Sequence, residues 1–75
     1  MITFYPVSDL KKVRKEKGLS QEQLAELLGV SQARVSQYER GYRMPKAKKL
    51  FSIAKALGMK LYADNDTKEL YFMED

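Results

Sequence analysis

The chain has no cysteine, no histidine and no tryptophan. Without thiols there is no disulfide, no thiolate zinc site and no cysteine nucleophile. Without imidazole the usual general base near neutral pH is missing, as is the commonest nitrogen ligand for a metal. Carboxylates, lysines and tyrosines are left to carry any reaction chemistry, so the expectation is a protein that is not an enzyme and uses neither cofactor nor metal. No apolar run approaches the roughly 20 residues that a membrane-spanning helix needs. The first charged side chain is Asp9, so the basic start of a secretory signal is also absent, and a cytoplasmic location with no membrane partner is expected. At 75 residues the chain has room for one domain. A core of that size buries only about 60% of the unfolded surface, which makes for marginal stability.

Charge is present in quantity and unevenly placed. The net charge is +4, yet residues 11 to 49 hold 11 basic against 4 acidic side chains, a balance of +7. Residues 61 to 75 hold 1 basic against 5 acidic, a balance of −4. The first stretch suits a polyanion and the second does not.

Four segments of helical periodicity lie between Asp9 and Leu57. Ser8 is a candidate N-cap for the first, which places Leu10 and Val13 on one face and stops at Gly18. The second opens on Ser20 with Gln23 at capping-box spacing, carries Leu24, Leu27 and Leu28, and ends before Gly29, predicting a helix over Gln21 to Leu28. Ser31 caps a third, with Val35 and Tyr38 as its apolar stripe and an end near Arg40, before Gly41. The fourth follows Pro45 to about Leu57, with Leu50, Ile53, Ala54 and Leu57 at i, i+3, i+4, i+7 before Gly58.

Only Gly29, Val30 and Ser31 separate the second helix from the third. So short a joint makes two short helices cross steeply, as in a helix-turn-helix. Ala25 supplies the small side chain that a close crossing demands, and Leu24, Leu28, Val30, Val35 and Tyr38 are expected to close a small core capped by the fourth helix.

The string LSQEQLAELLGVSQARVSQYERG, with the later AKALG, resembles the lambda-repressor/Cro-like (XRE-type) helix-turn-helix family over roughly Leu10 to Met59. The resemblance implies a mainly α, five-helix DNA-binding domain with its third helix in the major groove. Here the fifth helix is absent or replaced, since after Gly58 the periodicity changes to two. Lys46 also stands where the family often has a Ser or Thr cap. The face of the third helix opposite Val35 carries Gln32, Ala33, Ser36 and Gln37, read as base contacts: glutamine pairs bidentately with adenine and the alanine methyl meets thymine. Gln21 and Ser31, at helix N-termini, and Arg34, Arg40, Tyr42, Arg43, Lys46 and Lys48 are read as phosphate or groove-edge contacts. The resemblance also implies a structural ion pair between Arg14 and Glu39.

The segment MKLYADNDTKELYFM alternates as a β-hairpin. Asn65 and Asp66 are expected as its two-residue turn, with Ala63 opposite Lys68, Leu61 opposite Leu70 and Met59 opposite Phe72. Ile2 to Tyr5 alternate too and are a candidate third strand. The expected organisation is one domain over residues 1 to 75: a helical unit from 9 to 57 and a β dimerisation element from 59 to 73, joined by 2 to 5. The expected function is a dimeric transcriptional repressor of phage or antitoxin type that binds a two-fold-symmetric double-stranded DNA operator, with a toxin as a further candidate partner. The competing reading is a protein-interaction adaptor built on the same helices.

Overall fold

The structure, a computed structural model, describes residues 1–75. A strand, β1 (Thr3–Pro6), runs through a 3-10 turn (Val7–Asp9) into four helices: α1 (Leu10–Glu16), α2 (Gln21–Leu28), α3 (Gln32–Arg40) and α4 (Ala47–Ala56). Strands β2 (Lys60–Ala63) and β3 (Leu70–Glu74) follow. The three strands form one antiparallel sheet in the order β1-β3-β2.

The central helices have the bounds that the sequence predicts, because their ends are local chemistry. Gln23 N–H donates to Ser20 Oγ at 3.0 Å while Ser20 N–H donates to Gln23 Oε1 at 2.8 Å, a complete capping box. Gly29 takes φ 69° at the end of α2, a left-handed conformation in which a side chain is strained. It lets Val30 N–H donate back to Ala25 O at 3.0 Å and turns the chain into α3. Ser31 Oγ then accepts from Arg34 N–H at 3.1 Å. The first helix differs from expectation. Ser8 lies within the 3-10 turn and Asp9 precedes α1 without a side-chain cap, because the chain passes from the end of β1 through this turn into the helix.

One core joins helices and sheet. Leu24, Ile53, Val13 and Val35 are fully buried together with Phe72 of β3, and Met59 joins the same cluster. Tyr38 and Val30 pack against it half-buried, while Leu27 points outward, 61% exposed. The sheet thus stands where a fifth helix is implied by the resemblance, with Phe72, Leu61, Leu70 and Tyr5 covering the helical unit.

The expected hairpin register is corrected by two residues: Leu61 lies opposite Phe72, Ala63 opposite Leu70 and Tyr62 opposite Tyr71. The Asn65–Asp66 two-residue turn does not form. Asp64 Oδ1 accepts the N–H groups of Asp66 (2.8 Å) and Thr67 (3.3 Å), and Lys68 N–H donates to Asp64 O at 2.8 Å, giving a four-residue loop closed by Lys68 at φ 64°. A slip of two preserves the face of every side chain, so burial does not choose between the registers and the Asp64 carboxylate does. The third strand forms from Thr3–Pro6 and pairs with β3.

Candidate nucleic-acid interface

The buried end of the site is the ion pair. Arg14 Nε donates to Glu39 Oε2 at 2.5 Å and Nη2 to Oε1 at 3.2 Å, while Nη1 donates to Leu19 O at 2.7 Å. The two side chains are 7% and 2% exposed, so α1 is tied to the end of α3 by a pair that solvent barely reaches.

From that pair a polar chain runs to the surface. Gln21 Nε2 donates to Glu39 Oε1 at 3.0 Å, and Gln32 Nε2 donates to Gln21 Oε1 at 3.3 Å. Gln21 therefore spends both ends of its amide inside the protein, holding the start of α3 against the start of α2. What it retains for an anion is its backbone N–H, one of the groups that an α-helix leaves without a partner in its first turn. Gln32 keeps its carbonyl oxygen and a second N–H, a donor and an acceptor for a base edge. Periodicity along the chain gives no sign of this relay, which joins α1, α2 and both ends of α3.

Around Gln32 the outer face of α3 is polar and accessible. Gln32, Ala33 and Gln37 are exposed and Ser36 is half-buried, the four making one patch at i, i+1, i+4 and i+5, with Val35 buried opposite. Ser31 is exposed at the N-terminus of the same helix and, although its oxygen caps Arg34, its hydroxyl hydrogen is free to donate.

Beside this patch lies a concave surface of about 380 Å³ lined by Arg34, Arg43, Lys46, Lys48 and Lys49 with Tyr38 and Met44. Lys49 is not among the sequence-derived contacts; on α4 it follows Lys48 and reaches back toward Leu28 O at 3.5 Å. Lys46 occupies the N-cap of α4 and makes no side-chain cap, so the first N–H groups of that helix stay without a side-chain partner inside a ring of cations. Such an arrangement attracts a phosphate through both the helix dipole and net charge. Arg40 and Tyr42 are drawn together instead, the guanidinium 6.0 Å from the ring centroid, at the exposed end of α3. The acidic residues Asp64, Asp66 and Glu69 are gathered at the hairpin loop, and of these Glu69 comes beside Met44, Pro45 and Ala47 at the start of α4, on the side of a separate cavity.

Two capped helices joined by the Gly29–Ser31 turn and presenting a polar face, flanked by a basic concavity, define a helix-turn-helix nucleic-acid-binding protein. The helix-turn-helix model HTH_3 matches residues 10–62, and the chain belongs to this XRE-type family of DNA-binding transcription regulators. Over 52 residues it is 42% identical to the uncharacterised HTH-type transcriptional regulator y4dJ of Sinorhizobium fredii, covering 69% of this chain and 68% of that one. Among solved structures it resembles the clp gene regulator ClgR from C. glutamicum, with TM-score 0.66 and 34% identity over 69% of this chain and 68% of that chain. It also resembles the biofilm master regulator SinR, solved in complex with DNA, with TM-score 0.62 and 33% identity over 69% of this chain and 86% of that chain. No helix is long and apolar enough to cross a membrane.

Proposed function

We propose that this chain is a dimeric, sequence-specific repressor of the small phage-regulator or antitoxin kind, inserting α3 into the major groove of each half of a two-fold operator. The observation that carries the reading is the placement of Gln32, Ala33, Ser36 and Gln37 on one accessible face directly beside the uncapped, cation-ringed start of α4. The face carries the donors, acceptors and methyl that distinguish base pairs. Arg34, Arg43, Lys46, Lys48 and Lys49 supply charge to phosphates on either side, with Ser31, Arg40, Tyr42 and the Gln21 backbone at the rim. Two copies are called for because one short helix reads one half-site, and a symmetric operator is matched by a symmetric protein.

Reading and holding leave different signatures in a titration. Gln32→Ala is expected to lose roughly 1 to 3 kcal/mol on the preferred duplex and to relax preference at one base pair, with its salt dependence nearly unchanged. Arg43→Ala is expected to weaken selected and scrambled duplexes by similar factors. It should also reduce the magnitude of the slope of log K against log salt by about 0.9, the value for one phosphate contact on duplex DNA. Titrations of both variants at several salt concentrations check this. If Gln32→Ala leaves sequence preference intact, α3 does not read bases through Gln32 and the protein-adaptor reading gains.

A further inference from the structure

We propose that the free edge of β2 joins two copies of this chain, the strands pairing antiparallel about a two-fold axis at Tyr62. This deepens the dimeric reading above and rests on it. In the order β1-β3-β2 the outer strands each leave one edge unpaired, and β1 ends in Pro6 while β2 contains no proline. Asp64 N–H donates to Glu69 O at 2.9 Å. Bonding alternates along an antiparallel ladder, so Lys60 and Tyr62 also direct their backbone groups to β3. Leu61 and Ala63 then direct theirs outward.

That parity restricts self-pairing to registers centred on residue 61, 62 or 63. Centring on Tyr62 sets Leu61 against the partner's Ala63, so that outward N–H and C=O groups meet, and sets Lys60 against the partner's Asp64 on both sides of the axis. Centring on residue 61 or 63 sets Tyr62 opposite Lys60 or Asp64 and leaves both charges unmatched. Lys60 is exposed and in no ion pair, and Asp64 Oδ2 makes no hydrogen bond within the chain, since Oδ1 alone closes the loop. Lys60, Tyr62 and Asp64 alternate onto one face of the sheet, so the charge pairs and the two tyrosine rings lie on the same side.

The same register accounts for two other features of that surface. Tyr62 packs against Phe4 with the rings tilted by 53° (5.1 Å between centroids) and lies 6.4 Å from Tyr71, an aromatic row across the outer face of the sheet that ends at the β2 edge, where Tyr62 is 42% exposed. Between α4 and β2 runs a groove of about 610 Å³ whose apolar lining, Phe51, Ala54, Met59 and Leu61, is bordered by Lys55 and Lys60, with Phe51 61% exposed. A two-fold axis extends the aromatic row into the second copy and brings two such apolar surfaces toward each other, as an isologous contact requires. The axis is perpendicular to the sheet, so both helical units lie on one side of a six-stranded sheet, facing the same way.

A single introduced thiol tests the register, because the chain has none of its own. Across the axis the Tyr62 Cα atoms of a non-hydrogen-bonded pair lie about 4.5 Å apart, inside the span a disulfide bridges. Tyr62→Cys is expected to oxidise to a covalent dimer on a non-reducing gel, and Thr67→Cys at the loop is not. Ala63→Pro removes an outward N–H that β3 does not use, so it is expected to raise the dimer dissociation constant in sedimentation about tenfold or more while leaving thermal unfolding unchanged at protein concentrations low enough that native chain and variant are both monomeric. If the native protein sediments as a dimer while Tyr62→Cys stays unlinked and Ala63→Pro stays dimeric, this interface is overturned and the dimeric repressor reading stands. If the native protein sediments as a monomer at high concentration, both the interface and the dimer fall, while the Gln32 titration still decides DNA reading.

Discussion

Replacing Glu39 by Ala is expected to destabilise the protein by about 3 to 5 kcal/mol, the cost of leaving one partner of a buried ion pair uncompensated. The Arg14 guanidinium has its charge balanced by Glu39 alone, both side chains are nearly inaccessible, and Gln21 loses its acceptor in the same step. A chain of this size has roughly 5 to 10 kcal/mol in total, so the variant sits near the edge of folding at room temperature. Urea titration followed by circular dichroism measures the loss. The double variant Arg14→Met/Glu39→Leu is expected to recover much of it, because removing both charges removes the desolvation penalty with them. A loss under about 0.5 kcal/mol for Glu39→Ala would place the pair in effective solvent contact, contrary to its burial.

Phe72→Ala is expected to be as severe, about 3 to 5 kcal/mol, as for other buried phenylalanines cut to alanine. Phe72 is fully buried on the central strand and shares a cluster with Leu10 and Leu50, so its ring closes the helical core from the sheet side. The variant should therefore lose helical and tertiary signals in one transition at lower temperature. For the same reason a chain ending at Gly58, which lacks both Met59 and Phe72, is expected to be unfolded rather than a folded monomer. A truncated chain with native helical content would show that the sheet is an appendage and not part of the core.

The parts of this molecule that were legible in the sequence are those that local chemistry decides. Ser20 with Gln23, Gly29, Ser31 and Gly41 act within three or four residues of themselves, and α2 and α3 begin and end where those residues place them. Alternation likewise assigned the residues of the C-terminal hairpin, β2 and β3, to their faces, since the period of two is a property of the extended chain. The start of α1 was less legible, because Pro6 and the 3-10 turn couple it to a strand whose pairing is not local. The hairpin register escaped because a shift of two leaves the apolar pattern unchanged. A side-chain hydrogen bond from the loop, at Asp64, was the deciding term.

By itself, then, the sequence determined the bounds of α2 and α3, the polar and apolar faces, the segregation of basic and acidic charge and the family resemblance, all set by spacing along one chain. Only the tertiary structure decided that β1 pairs with β3, that Phe72 completes the helical core and that Lys49 joins the basic concavity. It also decided that Gln21 bridges Glu39 to Gln32, because that relay exists only once the crossing of α2 and α3 and the docking of α1 bring residues 14, 39, 21 and 32 within hydrogen-bond distance of one another in turn. Hydrogen bonds and buried charges act over about 3 Å whatever the separation in sequence, so their partners are settled by packing and not by pattern.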